Sequence, residues 1–162
     1  MLNRALLVSM LFGVLAPLAT AIPLLDAAKS RKELTQEVLV LTNAERAKFK
    51  LPPLTYETRL EKAAQWMAED MAINNYFAHV DSLDRSIGQR VPSFGYTNYQ
   101  TLRENIAAGY PTAAQVVEGW MNSPSHRKAI LCDKVKHLGV GFYFDDESKY
   151  KWYWVQEFGR EQ

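Results

Sequence analysis

Apolar residues recur at helical spacing over two stretches in the first half of the chain. Val38, Leu41, Ala44 and Ala47 mark one stripe over 35–49, and Pro52-Pro53 ends it. Thr58-x-x-Glu61 has the form of a capping box, and Leu60, Ala63, Ala64, Met67 and Met71 follow it as a second stripe reaching Asn74. Asn74-Asn75 breaks that helix and leaves His79 in a loop. The spacing predicts a short helix over 86–91, before Pro92, and a turn-rich aromatic segment over 94–99 with Gly95 and Asn98 as breakers. Thr112-Ala-Ala-Gln115 is another capping-box sequence, and Val116, Val117, Trp120 and Met121 give its helix one apolar face. Ser123 as N-cap and Pro124 as first helical residue start the next helix. The period then changes. Residues 138–144 and 150–158 are rich in β-branched and aromatic side chains and flank a polar turn, which reads as a β-hairpin. Helices on either side of a small, mostly antiparallel sheet fit this order, an α+β class.

The hydrophobic pattern at the start is of another kind. Arg4 precedes an apolar run, Ala5 to Leu18, and Ala19-Thr20-Ala21 is a small-residue cleavage site, so an export signal over 1–21 is expected. The run is short for a membrane span and carries Pro17. Residues 22–33 read as a loosely ordered leader and 34–162 as a single domain. The expectation is a secreted or periplasmic protein, monomeric, with no stable membrane insertion after cleavage. The 162 residues, 48% hydrophobic and 23% charged, suit one globular unit. Nineteen basic residues face 18 acidic ones, and loss of Arg4 balances them. That balance argues against nucleic acid as partner, which asks for a basic face. Cys132 is the single cysteine, so no internal disulfide can form, and it reads as a small buried apolar residue.

Candidate chemistry gathers around the Ser-Pro helix start. His126 falls at the third position of that helix, where the positive end of the dipole favours a neutral ring, and Glu118 lies on the preceding helix. Taken alone, Glu104 and Glu118 are equally readable as cap or ion-pair residues with Arg103 or Arg127. His137, just before a strand and without a motif, reads as a structural hydrogen-bond partner.

Four segments resemble one family. EGWMNSPSHRKAIL from Glu118 to Leu131, followed by HLGVGFYF, resembles the signature of the CAP superfamily (cysteine-rich secretory proteins, antigen 5 and pathogenesis-related proteins), whose module is the SCP domain. YFAHVD from Tyr76 to Asp81 resembles its first histidine motif, RENIAAGY from Arg103 to Tyr110 its Gly-Glu-Asn-Ile motif, and WYWVQEFG from Trp152 to Gly159 its last strand. They occur in the family's order and span roughly 34–159. The resemblance implies a three-layer α-β-α sandwich and a cleft lined by His79, Glu104, Glu118 and His126. Arg103, Ser125 and Ala78 depart from the Gly, Gly and Ser of the family pattern. The Arg103 change either brings a cation to the cleft rim or points into solvent.

Imidazoles suit divalent transition metals, so His79 and His126 are the expected ligands and zinc the expected ion, with water or a Glu completing the shell. Glu104 and Glu118 are the candidate catalytic bases. Three functions follow: an exported binding module holding a divalent metal and an extracellular or cell-envelope ligand (peptide, glycan or lipid), a metal-dependent hydrolase (peptidase or esterase), or a lipid or sterol carrier. The first is favoured, because the resemblance implies no general catalytic activity. Tyr96, Tyr99 and Tyr110 are read either as aromatic walls for a ligand or as core.

Overall fold

A computed structural model describes residues 29–162. The export signal and most of the leader lie outside the described residues. Helix α1 (Arg31–Lys48) opens inside the stretch expected to be a loose leader, because Ser30 and Glu33 form a reciprocal capping box. Its buried face also differs from the apolar reading. Ala44 and Ala47 are exposed, and the inward row is Leu34, Val38, Thr42 and Arg46. The two polar members are buried because each has partners: Thr42 accepts from Gln156 Nε2 at 2.8 Å, and Arg46 Nη1 donates to the carbonyls of Ile130 and Cys132 at 2.7 and 2.8 Å.

Two-residue strand β1 (Thr55–Tyr56) leads into α2 (Thr58–Ile73). The N-cap of α2 is Glu57, which accepts from the Arg59 amide, and Thr58 is already helical, one residue off the expected box. The expected stripe of α2 is buried throughout. Helix α3 (Ile87–Ser93) runs through Pro92 instead of stopping before it. Proline removes the bond to the Gly88 carbonyl, and Tyr99 Oη donates to that carbonyl at 3.3 Å in its place. Next come β2 (Tyr99–Ala108), α4 (Ala113–Asn122), α5 (Pro124–Ile130), β3 (His137–Phe144) and β4 (Trp152–Glu161). Thr112 caps α4 as expected, accepting from the Gln115 amide, and Pro124 opens α5.

The sheet has the order β1-β3-β4-β2, with β1 parallel to β3 and the other pairings antiparallel. Its two faces carry separate cores. Leu138, Val140, Trp154 and Phe158 meet α1 and α4 on one side, whereas Ile106, Tyr153 and Val155 meet α2 on the other. Gly139 and Gly141 face α2: a Cβ on Gly141 would stand 2.2 Å from the Ala64 carbonyl oxygen. The missing side chains let the helix lie directly on the strand. This is the three-layer α-β-α sandwich, with edge strand β2 carrying Glu104. Cys132 is buried in the α1–α4 core. Among the described residues no helix is long and apolar enough to cross a membrane.

Candidate functional site

The loop after α2 is held by two buried acids. Asp70 accepts from Ser82 (amide 2.9 Å, hydroxyl 2.5 Å), from Asn74 Nδ2 at 2.8 Å and from Tyr76 Oη. Burial opposes its ionisation, but the bonds from Ser82, Tyr76 and Asn74 outweigh that and hold its carboxyl below the usual range. Asp81 accepts from the amides of Leu83 and Arg85 and from Arg85 Nε. Between these anchors the loop presents Phe77 and His79. Phe77 packs edge-on against Tyr150 of the β3–β4 turn, with ring centroids 5.9 Å apart.

His126 arrives from the other side of the sheet, at the third residue of α5. Its carbonyl accepts from Asn105 Nδ2 at 3.2 Å, and the same nitrogen lies 3.1 Å from Oε1 of Gln156, the residue opposite on β4. Both histidines line one cleft of about 520 Å³ whose floor is the end of β2, Ile106 to Ala108. Phe77, Tyr110 and Tyr150 wall it, so most of its surface is apolar. Of the three tyrosines considered as walls, Tyr110 alone serves. Tyr96 is fully buried, and Tyr99 donates to the Gly88 carbonyl of α3.

The two carboxylates part company. Glu104, its side chain 4% exposed, accepts from His79 Nδ1 at 2.6 Å through one oxygen and from Arg90 Nη2 through the other. Glu118 is exposed on α4 and lines an adjoining hollow, which shares Tyr110, Gly119 and Ser123 with the histidine cleft. Gly119 makes room for that shared wall, since a Cβ there would stand 2.7 Å from the Tyr110 ring. The site therefore brings His79, Glu104 and His126 together and sets Glu118 beside them. Arg103 lies on the opposite face of β2 from Glu104 by strand alternation, its Nε buried, and it does not line the cleft.

Electrostatics drive the imidazoles in opposite directions. The hydrogen bond to Glu104 raises the His79 pKa against the opposing effect of burial. Burial first, and then the charge His79 can carry, lower that of His126. The direction for His126 is the one expected from the helix dipole, but its causes are burial and His79.

Four residues of this network escaped the sequence reading: Asp70, Asp81, Arg90 and Glu157. Glu157 faces Glu104 directly across β4 and β2. Complete burial, then the neighbouring Glu104, push its carboxyl well above the ordinary range. A polar residue opposite Glu104 on a strand would have been the signal, had β2 been recognised as a strand.

Among the described residues, the trio of metal-type side chains with ligand atoms within 4.8 Å of one another is Glu57, His137 and Glu161. Arg59 donates to all four of those carboxylate oxygens at 2.8–2.9 Å, and His137 Nδ1 pairs with Tyr96 Oη at 2.8 Å. That is a satisfied ion-pair cluster, and His137 has the structural role expected of it.

The comparisons agree with this architecture. The model of the cysteine-rich secretory protein (CAP) family matches residues 39–158. The chain belongs to that family. It is 41% identical over 133 residues to the uncharacterized protein YkwD of Bacillus subtilis (strain 168), covering 82% of this chain and 49% of the relative. An extracellular SCP-domain protein of Bacillus anthracis superposes with TM-score 0.71 at 31% identity, over 81% of this chain and 41% of that one. An outer surface protein of Borrelia burgdorferi gives TM-score 0.72 at 25% identity, over 83% of this chain and 97% of that one. This CAP chain thus spans about half the length of its curated Bacillus subtilis relative.

Proposed function

We propose that this CAP chain is an exported binding module whose cleft takes one divalent metal, zinc first, together with a ligand from the cell envelope or its surroundings. The observation that carries the reading is that His79 and His126 open on one cleft while buried Glu104 receives the Nδ1 hydrogen of His79. A carboxylate behind a histidine is the usual support of a metal-ligating ring, because it fixes the tautomer and raises ligand basicity. The donor set fits zinc with His79 and His126 as ligands and water completing the shell. Export and an extracellular or periplasmic location are supported by the Arg4-to-Ala21 signal pattern and by the extracellular and outer-surface descriptions of the similar structures. The test is calorimetric titration of purified protein with zinc. One site per chain is expected, lost in His79→Ala and in His126→Ala, and wild-type binding by both variants would remove the shared site.

The apolar walls favour a second reading, a carrier of a fatty acyl chain or sterol. Binding of such a ligand that survives His79→Ala would support it over the metal-centred one.

A further inference from the structure

Arg90 is one residue of α3, its side chain wholly buried, and its guanidinium stands among three carboxyl groups. It donates to Glu104 Oε2 and, at 2.9 Å, to Glu157 Oε1, and it lies 3.9 Å from Asp81 Oδ2. Its Nη1 also donates to the main-chain carbonyl of His79 at 3.5 Å. One guanidinium therefore holds both the backbone of His79 and the carboxylate that receives its ring hydrogen. Glu104 and Glu157 face each other across β2 and β4, an arrangement in which two like charges would repel. Burial pushes the Glu157 carboxyl up, while Glu104 meets the Arg90 guanidinium with one oxygen and the His79 ring with the other. A carboxylate paired with a guanidinium offers acceptor oxygens, so the Nδ1 facing it at 2.6 Å carries the hydrogen, and the lone pair of the neutral ring lies on Nε2.

We propose that Arg90 is a positioning residue for His79: by clamping Glu104 and the His79 carbonyl together, it fixes the Nδ1–H tautomer and reserves Nε2 for whatever the cleft binds. The proposal rests on the reading of His79 as a cleft donor, but it concerns the ring before anything binds. Its test is accordingly run on metal-free protein. The conservative change Arg90→Lys keeps the charge but offers a single point donor where the planar fork reached several acceptors.

The experiment is long-range proton–nitrogen NMR of the imidazoles in nitrogen-15-labelled protein, with chelator, at a pH where both cleft rings are neutral. In the wild type the Nδ1–H form of His79 is expected to dominate by roughly tenfold or more, the weight of a hydrogen bond to an ionised partner. Free imidazole side chains prefer Nε2–H, so this is a distinct signature. Arg90→Lys should populate both tautomers while the His126 signals stay in place, and Glu157→Gln, which substitutes a neutral amide for the protonated acid, should leave the Nδ1–H form dominant. An Nε2–H ring in the wild type would overturn the proposal without any variant, whether or not Arg90→Lys folds. A wild-type tautomer ratio in folded Arg90→Lys would overturn it too. Failure of zinc binding in the separate titration leaves this result standing, so the two ideas fall independently.

Discussion

The Asp70 carboxylate on α2 reaches across the following loop to Ser82, accepting from its amide at 2.9 Å and its hydroxyl at 2.5 Å. With the Tyr76 hydroxyl also bound to it, this closes the loop around His79 and fixes where the ring emerges. Asp70→Ala leaves those donors unpaired and should cost about 2 kcal/mol of stability. It should also weaken zinc binding, though Asp70 does not line the cleft. Calorimetric unfolding and zinc titration of the variant check both, and unchanged affinity would show that the loop is held by other means.

The helices were legible because their stripes are apolar and their starts carry capping residues: α2, α4 and α5 lie within a residue of expectation, and the β3–β4 hairpin forms as its pattern predicts, with β4 starting two residues later and ending three residues later than the expected 150–158. Strand β2 was not legible as a strand. Its faces carry Glu104 on one side and Arg103 and Asn105 on the other, so no apolar alternation marks it, and Glu104 and Asn105 are buried with tertiary partners. For the same reason the inward face of α1 was misread at Thr42 and Arg46. The histidines and Glu104 were found through family motifs. Of their supports, Arg90 lies in no family motif, and Glu157, though within the last-strand motif, is tied to Glu104 only by strand register.

Zinc binding should weaken on acidification earlier than at an ordinary imidazole site. Metal requires neutral rings, and the bond to Glu104 gives His79 a pKa above the usual 6.5, so protons compete as pH falls through that raised value. His126, shifted the other way, should not limit the site. Titrations between pH 5 and 8 test this. An affinity flat down to pH 6 would contradict the assigned direction.

Glu157→Gln should change how stability depends on pH. Above the unfolded value near 4.5 the unfolded chain releases this proton, whereas the folded state keeps it. The unfolded state then binds fewer protons, so stability falls as pH rises from that point toward the folded pKa. Glutamine has no proton to lose. Melting temperatures from pH 5 to 8 should therefore fall further for the wild type than for the variant, and parallel curves would mean Glu157 is ionised in the folded protein.

Alongside Gly139, where a Cβ would stand 2.1 Å from the Glu61 amide nitrogen, Gly141→Ala should be among the most damaging single methyls in the sandwich. The new Cβ would stand 2.2 Å from the Ala64 carbonyl, which is backbone and cannot swing aside. About 3 kcal/mol of destabilisation is expected from forcing α2 off the sheet. Gly109→Ala meets nothing within 4 Å and should cost about 1 kcal/mol through its φ of 83° alone. Denaturant unfolding of the pair separates packing from backbone strain. Equal losses would refute the packing argument.

The two Glu→Gln variants decide whether the cleft performs chemistry or only holds a ligand. Both oxygens of Glu104 are engaged, one by His79 and one by Arg90, so it is placed to orient a ring and not to take a proton from water. Glu118 is exposed in the adjoining hollow and makes no hydrogen bond or ion pair among the described residues, so any general base in the site falls to it. For a hydrolase, Glu118→Gln should lower turnover by roughly 100-fold or more while leaving zinc affinity intact. For a binding module there is no turnover to lose, and the informative change is Glu104→Gln, which should weaken zinc by roughly 10- to 100-fold as the ring loses its carboxylate. Wild type and both variants are assayed with and without zinc on peptides, esters and cell-wall fragments. We expect no zinc-dependent turnover above background and a zinc defect confined to Glu104→Gln. A zinc-dependent rate abolished by Glu118→Gln would replace the binding module with a metal-assisted hydrolase.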